Sequence, residues 1–337
     1  MASLNVLITA ASRRVPLVRA FQSAMAAGSG RQGRVIVTDV NPLSPAVHVA
    51  ERWYHVPLAT APDYLDAIIG ICEAERISLI VPTIDDELEI FASAAKWFLA
   101  RGIRVAVSPE WTSQACNDKL VTCQYLREHG VRAADTWLPG AVPADVAYPL
   151  FIKPRIGRGG VGAFQVHSPR DLEFFSTYVE TPIVQEFLDG PEFTIDMLCD
   201  FNHRPVSIVP RERVVVRAGV MDRGRTVQNP KLLAIAQAAA AAMPFLGAVN
   251  IQCRLVNGEP VIFEINPRFS GGIPLTIEAG ADFPAMLLDL TQGRRVSPRI
   301  GRYRADLWLT SYEASIFVKG EALDSGRRPP MLIGDVA

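Results

Sequence analysis

Apolar and polar positions in the first hundred residues fall into two alternating textures. Short apolar runs at 5–9, 34–38, 77–81 and 103–107 read as strands. Between them, segments near 15–25, 64–75 and 87–99 carry apolar residues at helical spacing. Strands that are apolar throughout belong in a sheet covered on both faces, so the alternation predicts a doubly wound parallel α/β sheet over residues 1–112. A helical bridge is expected from Asn117 to His129, capped by Asn117 and closed by Gly130.

After Pro149 the texture changes. LFIKP and AFQV read as strands on either side of the glycine-rich RIGRGGVG, followed by a helix near Arg170–Tyr178 and a strand at Ile183–Phe187. From Glu192 on, EFTIDMLCD and PVSIVPRERVVV precede an Ala-rich helix and a hairpin, the pattern of an antiparallel α+β lobe. The expected organisation is a first domain over 1–112, a small lobe over 113–188 and a large lobe over 189–337.

The hairpin, NIQCRLVNGEPVIFEINPR from Asn250 to Arg268, puts acids and amides among apolar residues. Ile251, Cys253 and Leu255 alternate with Asn250, Gln252 and Arg254; Val261, Phe263 and Ile265 alternate with Ile262, Glu264 and Asn266. Asn257-Gly258 marks the turn. A two-residue loop there would oppose Gln252 to Phe263, burying a polar group against an aromatic. A three-residue loop through Glu259 instead pairs Gln252 with Glu264 and Leu255 with Val261, and is the expected register. Gln252, Glu264 and Asn266 then converge as a hard-oxygen cluster with too little charge to hold Mg²⁺ alone, suited to an ion shared with nucleotide phosphates. Arg268 offers the planar fork that grips a phosphoryl group. The same residues also suit an exposed edge strand with Arg268 as ion-pair partner.

With 337 residues, 49% of them hydrophobic, the chain has room for two or three cored units. Its 34 Lys and Arg against 35 Asp and Glu supply no positive field for nucleic acid or an anionic membrane, so small molecules are the expected partners. Five scattered cysteines without CxxC spacing and five histidines without HxxxH argue against structural zinc and for a reduced compartment. The run Ala234–Ala242 is too short to span a bilayer, and no charged and apolar leader precedes the first strand. A cytoplasmic location is expected.

Gly157, Gly159, Gly160 and Gly162 let backbone N–H groups approach phosphates, but the tract lacks the Lys-Ser/Thr ending and following helix of a P-loop. Flanking strands make it a hairpin lid. Lys153 ends an apolar strand just before it, where an ammonium must meet an anion or solvent. Lys119 stands early in its helix, unfavourably for the dipole, and is either a phosphate ligand or a surface lysine. Gln185, Glu186, Phe187 and Leu188 end a strand where backbone groups could read an adenine edge, and Glu192 could accept from ribose hydroxyls.

Taken together, Lys119, FIKP with Lys153, the glycine-rich lid, QEFL with Glu192, and the set Gln252, Glu264, Asn266 and Arg268 resemble the ATP-grasp superfamily. The flavour is that of the carbamoyl-phosphate synthase large subunit, over residues 113–318, and the N-terminal sheet resembles the pre-ATP-grasp domain. The resemblance implies ATP held between two α+β lobes. Lys119 and Lys153 would meet phosphates, Gly159 and Gly160 the lid side, Gln185 to Leu188 the adenine and Glu192 the ribose. It also implies Mg²⁺, with Mn²⁺ as the alternative ion, on Glu264, Asn266 and Gln252, with Arg268 and Lys153 as catalytic residues. Gln252 stands where many relatives carry an acid, and Gln185 where many carry Glu. The implied activity is ATP-dependent ligation of a small-molecule carboxylate to an amine through an acyl phosphate, releasing ADP and phosphate. A homodimer through the N-terminal domain is expected by analogy alone.

Other features leave alternatives open. Ser270-Gly271-Gly272 is either an oxyanion cradle or a turn. Asp85, Asp86, Glu87 and Glu89 either hold an amine or complement a helix dipole. Arg211, Arg213, Arg217 and Arg225 either anchor an anion or form a salt-bridged face. Two competing classes are an ATP-binding regulatory module without turnover and a Rossmann-type NAD oxidoreductase. The first turn, TAASRRVP, lacks the GxGxxG that the second requires.

Overall fold

The computed structural model describes residues 4–28, 31–157, 159–217, 219–323, 326 and 327. The chain forms two compact units: Met1–Glu110 with Asp282–Ser297 and Tyr312–Ala337, and Trp111–Ala281 with Pro298–Ser311. The grouping of 282–297 with the first unit departs from an undivided C-terminal lobe over 189–337. Its helix, Phe283–Thr291, buries Phe283, Met286, Leu287 and Leu288, and Asp289 pairs with Arg31 at 2.7 Å.

The first unit runs β1 (Asn5–Ile8), α1 (Val15–Ala27), β2 (Val35–Asp39), β3 (Arg52–His55), α2 (Tyr64–Glu75), β4 (Ile77–Val81), α3 (Asp85–Ala100) and β5 (Arg104–Val105). Every strand pair is parallel, in the order β3-β2-β1-β4-β5. This is the doubly wound sheet expected, with β2 buried at all five positions. Strand β5 has two residues rather than the five expected, and β3, too short and polar to show a period, was not anticipated.

Strand order reverses between β1 and β4, the place where open α/β sheets leave a crevice. Here the protein's own groups fill it. Thr83 Oγ1 donates to the carbonyls of Thr9 and Ala10, each at 2.9 Å. Glu87, only 1% exposed, accepts from Thr9 Oγ1 at 2.9 Å and from the Tyr64 hydroxyl. Of the acidic run expected to hold an amine or complement a dipole, Glu87 is therefore a core residue.

The second unit opens with α4 (Glu110–Asn117) and α5 (Lys119–Glu128), two helices where one was expected. The cap is Asp118, not Asn117: its carboxylate accepts from the N–H groups of Leu120 and Val121 and pairs with Arg155 at 2.6 Å. An anionic cap meets the positive end of the helix better than an amide does. Then come β6 (Thr136–Trp137), β7 (Leu150–Pro154), β8 (Phe164–Val166), α6 (Pro169–Tyr178) and β9 (Pro182–Glu186), whose strands form an antiparallel sheet β6-β9-β7-β8. Strands β7 and β8 flank the glycine tract, of which Arg158 lies outside the described residues.

A six-stranded antiparallel sheet follows, built from β10 (Glu192–Cys199), β11 (Pro205–Arg217), β12 (Val220–Thr226), β13 (Gly247–Val256), β14 (Glu259–Asn266) and β15 (Trp308–Thr310) in the order β14-β13-β10-β11-β12-β15. Helix α7 (Pro230–Ala242) precedes β13, and the short α8 (Ile273–Glu278) follows β14. One face of the sheet is the core. Ile265, Ile251, Ile195 and Met197 pack there with Leu232, Ala236 and Ala239 of α7 and Cys123 and Leu126 of α5. Among the described residues no helix is long and apolar enough to cross a membrane.

The β13–β14 ladder corrects the expected loop. Asn257 and Gly258 have φ of 52° and 77°, and Val256 pairs with Glu259, so the turn is the two-residue form that such a pair of positive φ values builds. Leu255 pairs with Pro260, not Val261. Gln252 nevertheless faces Glu264, as expected, because the register shifts by one residue between Gln252 and Cys253. Cys253 opposes Ile262, leaving Phe263 as the extra residue of a bulge. Ile262 thus joins the core, and Phe263, expected on the apolar face, turns to the other side.

Candidate functional site

The face of the six-stranded sheet opposite the core is polar, because residues paired across antiparallel strands share a face. One row reads Asn266, Asn250 and Asp196; the next reads Glu264, Gln252, Thr194 and Arg211; a third joins Arg254 to Glu192. Over this face lies a cleft of about 290 Å³, walled on its other side by β7, the glycine tract and the end of β9. Lys119, Lys153, Gly159, Gly160, Gln185, Glu186, Phe187, Leu188, Glu192, Gln252 and Glu264 all line it. Asn266 and Arg268 do not line it directly.

The cationic side of the cleft is buried. Lys153 is 6% exposed and sits 5.2 Å from the Phe263 ring centroid, with its Nζ 3.4 Å from the Phe263 carbonyl. Burial pushes the ammonium below its ordinary value, and neighbouring Glu264 opposes that shift. Lys119, 7% exposed, donates from Nζ to the Gly157 carbonyl at 2.6 Å. The bulge at Phe263 is what sets an aromatic face and a carbonyl beside Lys153.

On the anionic side a chain of bonds ties three residues together. Arg268 Nη2 donates to Asn266 Oδ1 at 3.0 Å, and Asn266 Nδ2 donates to Glu264 Oε1 at 3.0 Å. Asn250 Nδ2 supports the strand by donating to the carbonyls of Asn266 and Arg268 at 3.1 and 3.2 Å. Gln252 and Glu264, paired across β13 and β14, turn hard oxygens of the kind Mg²⁺ takes toward the cleft, and Asn266 stands behind them, bonded to Glu264 and Arg268. The described residues hold no group of three or more His, Cys, Asp and Glu placed for a metal, in line with one carboxylate and two amides.

At the far end Gln185 is 2% exposed and donates from Nε2 to Thr136 Oγ1 at 2.9 Å and toward Cys123 Sγ at 3.3 Å. Glu186 Oε1 accepts from the Asp135 N–H at 3.0 Å. Glu192 lies between two guanidiniums, 3.0 Å from Arg213 Nε and 2.9 Å from Arg254 Nη2. Arg213, Arg254 and Phe263 were not singled out individually for the site. Arg254 was within reach of the pattern, since it stands two residues from Gln252 on the same face.

The remaining sequence candidates separate. Arg211 is 1% exposed and grips Asp196 with Nε at 2.7 Å and Nη2 at 3.0 Å, while Nη2 also donates to Ser270 Oγ at 3.0 Å. A Cβ on Gly272 would lie 2.2 Å from Arg211 Nη1, so Ser270-Gly271-Gly272 is moulded around that guanidinium. Arg217 pairs with Asp222, and Arg225 with Glu212 and Asp306.

Residues 179–312 match the family model described as ATP-grasp in the biosynthetic pathway with Ter operon, and residues 6–106 match the PylC-like N-terminal domain. The ATP-grasp likeness thus rests mainly on the second of the two units, over residues 179–312. The chain is 25% identical over 262 residues to the carbamoyl phosphate synthase arginine-specific large chain of Bacillus subtilis (strain 168), covering 71% of this chain and 25% of that one. The chain thus spans about a quarter of the length of that curated relative. Among solved structures it is similar to the biotin carboxylase domain dimer of Hydrogenobacter thermophilus 2-oxoglutarate carboxylase, in complex with MgADP, ADP and bicarbonate. The TM-score is 0.69 at 15% identity, over 91% of this chain and 74% of that one. It is also similar to L-amino acid ligase from Bacillus licheniformis, with a TM-score of 0.67 at 19% identity, over 90% and 78% of the two chains. These likenesses show the fold.

Proposed function

We propose that this protein is an ATP-grasp enzyme, an ATP-dependent carboxylate–amine ligase that forms a carbon–nitrogen bond through an acyl phosphate. The observation that carries the reading is the meeting of buried Lys153 and Glu264 in one cleft, with Lys119 beside the glycine tract. Two ammonium groups suit phosphates, and a carboxylate flanked by amides suits the ion that accompanies them. Lys119 and Lys153 hold phosphate oxygens in this proposal, Gly159 and Gly160 cover them, the segment Gln185 to Leu188 reads adenine and Glu192 faces the ribose. Gln252, Glu264 and Asn266 would hold Mg²⁺ or Mn²⁺, which neutralises phosphate charge when bound. Arg268, fixed through Asn266, stabilises the transferring phosphoryl group.

In the first step a substrate carboxylate oxygen bonds the γ-phosphorus as the bond to the ADP oxygen breaks. In the second an amine nitrogen bonds the acyl carbon, phosphate leaves with the C–O electron pair, and the amine loses a proton to solvent. No side-chain nucleophile is required, so positioning and charge do the catalytic work. The test is release of ADP and phosphate in a screen of paired carboxylates and amines, amino acids first. Release that requires both partners is expected. ATP binding without stimulated release in any pair would favour a regulatory module.

A further inference from the structure

We propose that Arg213 is a further ligand-binding residue of this cleft, its guanidinium receiving an oxyanion of the nucleotide's phosphate chain. The proposal rests on the nucleotide reading above and adds to it a cation that lies outside the resemblance.

Arg213 lines the cleft with a side chain only 7% exposed. Of its five N–H donors, Nη1 reaches Thr194 Oγ1 at 3.3 Å and Nη2 reaches the Gly219 carbonyl at 2.9 Å. Its Nε lies 3.0 Å from Glu192 Oε1, within ion-pair distance, yet the N–H does not point at that oxygen and is a buried donor without an acceptor. Arg211, two residues earlier on the same strand, has its guanidinium gripped by Asp196 and Ser270 instead.

The charge around Arg213 points the same way. Glu192 is shared with Arg254, so two guanidiniums face one carboxylate. Burial, with Arg211 and Arg254 nearby, pushes the Arg213 guanidinium below its ordinary value, while Glu192 and Glu264 oppose the shift. A buried cation short of aligned acceptors is costly unless an anion completes it. A ribose hydroxyl carries no charge to do so; a phosphate oxygen does, and the planar fork of arginine suits it.

The experiment is isothermal titration of the full chain, as wild type, Arg213→Met and Arg213→Lys, with MgATP, MgADP and adenosine. Arg213→Met is expected to weaken MgATP by about tenfold or more and adenosine by less than about twofold, with Arg213→Lys recovering part of the loss. Unchanged MgATP affinity in Arg213→Met would overturn the proposal. Equal loss for adenosine and MgATP would also overturn it, because Arg213 would then act only by holding Glu192. Should Arg213→Met fail to fold, Arg213→Lys decides: the same pattern at smaller size supports the proposal, and none overturns it. Wild type binding none of the three would sink the nucleotide reading itself, and this proposal with it.

Discussion

Glu87, in the first turn of α3 in the first unit, and Glu264, on β14 in the second, are both carboxylates set into the fold, yet their surroundings differ in kind. Glu87 is enclosed by the hydroxyls of Thr9 and Tyr64, and burial raises its carboxyl to about 7. Glu264 opens onto a cleft that it shares with Lys119 and Lys153, tied to Asn266 and through it to Arg268. An inward carboxylate bonded by neutral hydroxyls fills a crevice; one with cations that other elements hold in place can work on an anion between them. The counter-charges, more than the acid, distinguish a candidate site from a core.

The largest effect that would test this contrast is on turnover. Glu264→Gln keeps the shape and removes the charge, so ADP release should fall by about a hundredfold to a thousandfold while the melting temperature changes little. Unchanged release would place Glu264 with Glu87, as a packing residue. A purely structural control lies in the same sheet. The Asp196–Arg211 pair is saturated on all sides, so Arg211→Met strands a buried carboxylate and should destabilise the fold by about 3 kcal/mol or more, read by denaturant unfolding. A stable Arg211→Met protein with weakened ATP binding would move Arg211 out of the scaffold and into the site.

Much of this arrangement was readable from the chain because apolar alternation decides which face is buried. The parallel sheet and the strands on either side of the glycine tract follow from such patterns, whereas the facing of Gln252 to Glu264 was reached through a loop that the ladder does not have. The loop at Asn257-Gly258 was misread because an unbroken ladder was assumed, whereas the extra residue sits at Phe263, several residues from the turn. A bulge is decided by what both strands must bury, so neither strand announces it alone. Asp118 displaced Asn117 as cap because Arg155, distant in sequence, partners it. Arg213 looked like its neighbours Arg211, Arg217 and Arg225; only the carboxylates each one meets in three dimensions separate them.

The smallest effect is a slope with pH, and it probes the other half of the contrast. The Glu87 carboxyl is raised from 4.5 to about 7, chiefly by burial, against hydrogen bonds from Tyr64 and Thr9 that favour the charged form. Between those two values the folded chain keeps a proton that the unfolded chain has lost. Stability from this group is therefore complete below pH 4.5, declines as pH rises toward about 7, and is lost above it. The decline amounts to roughly 1 kcal/mol per pH unit. Glu87→Gln cannot titrate, so the stability difference between wild type and variant should carry that slope, whatever the other groups contribute to each. A flat difference between pH 5 and 7 would mean that Glu87 stays ionised in the folded protein, which in turn demands a cation or water at the β1–β4 crevice and would make that crevice a site after all.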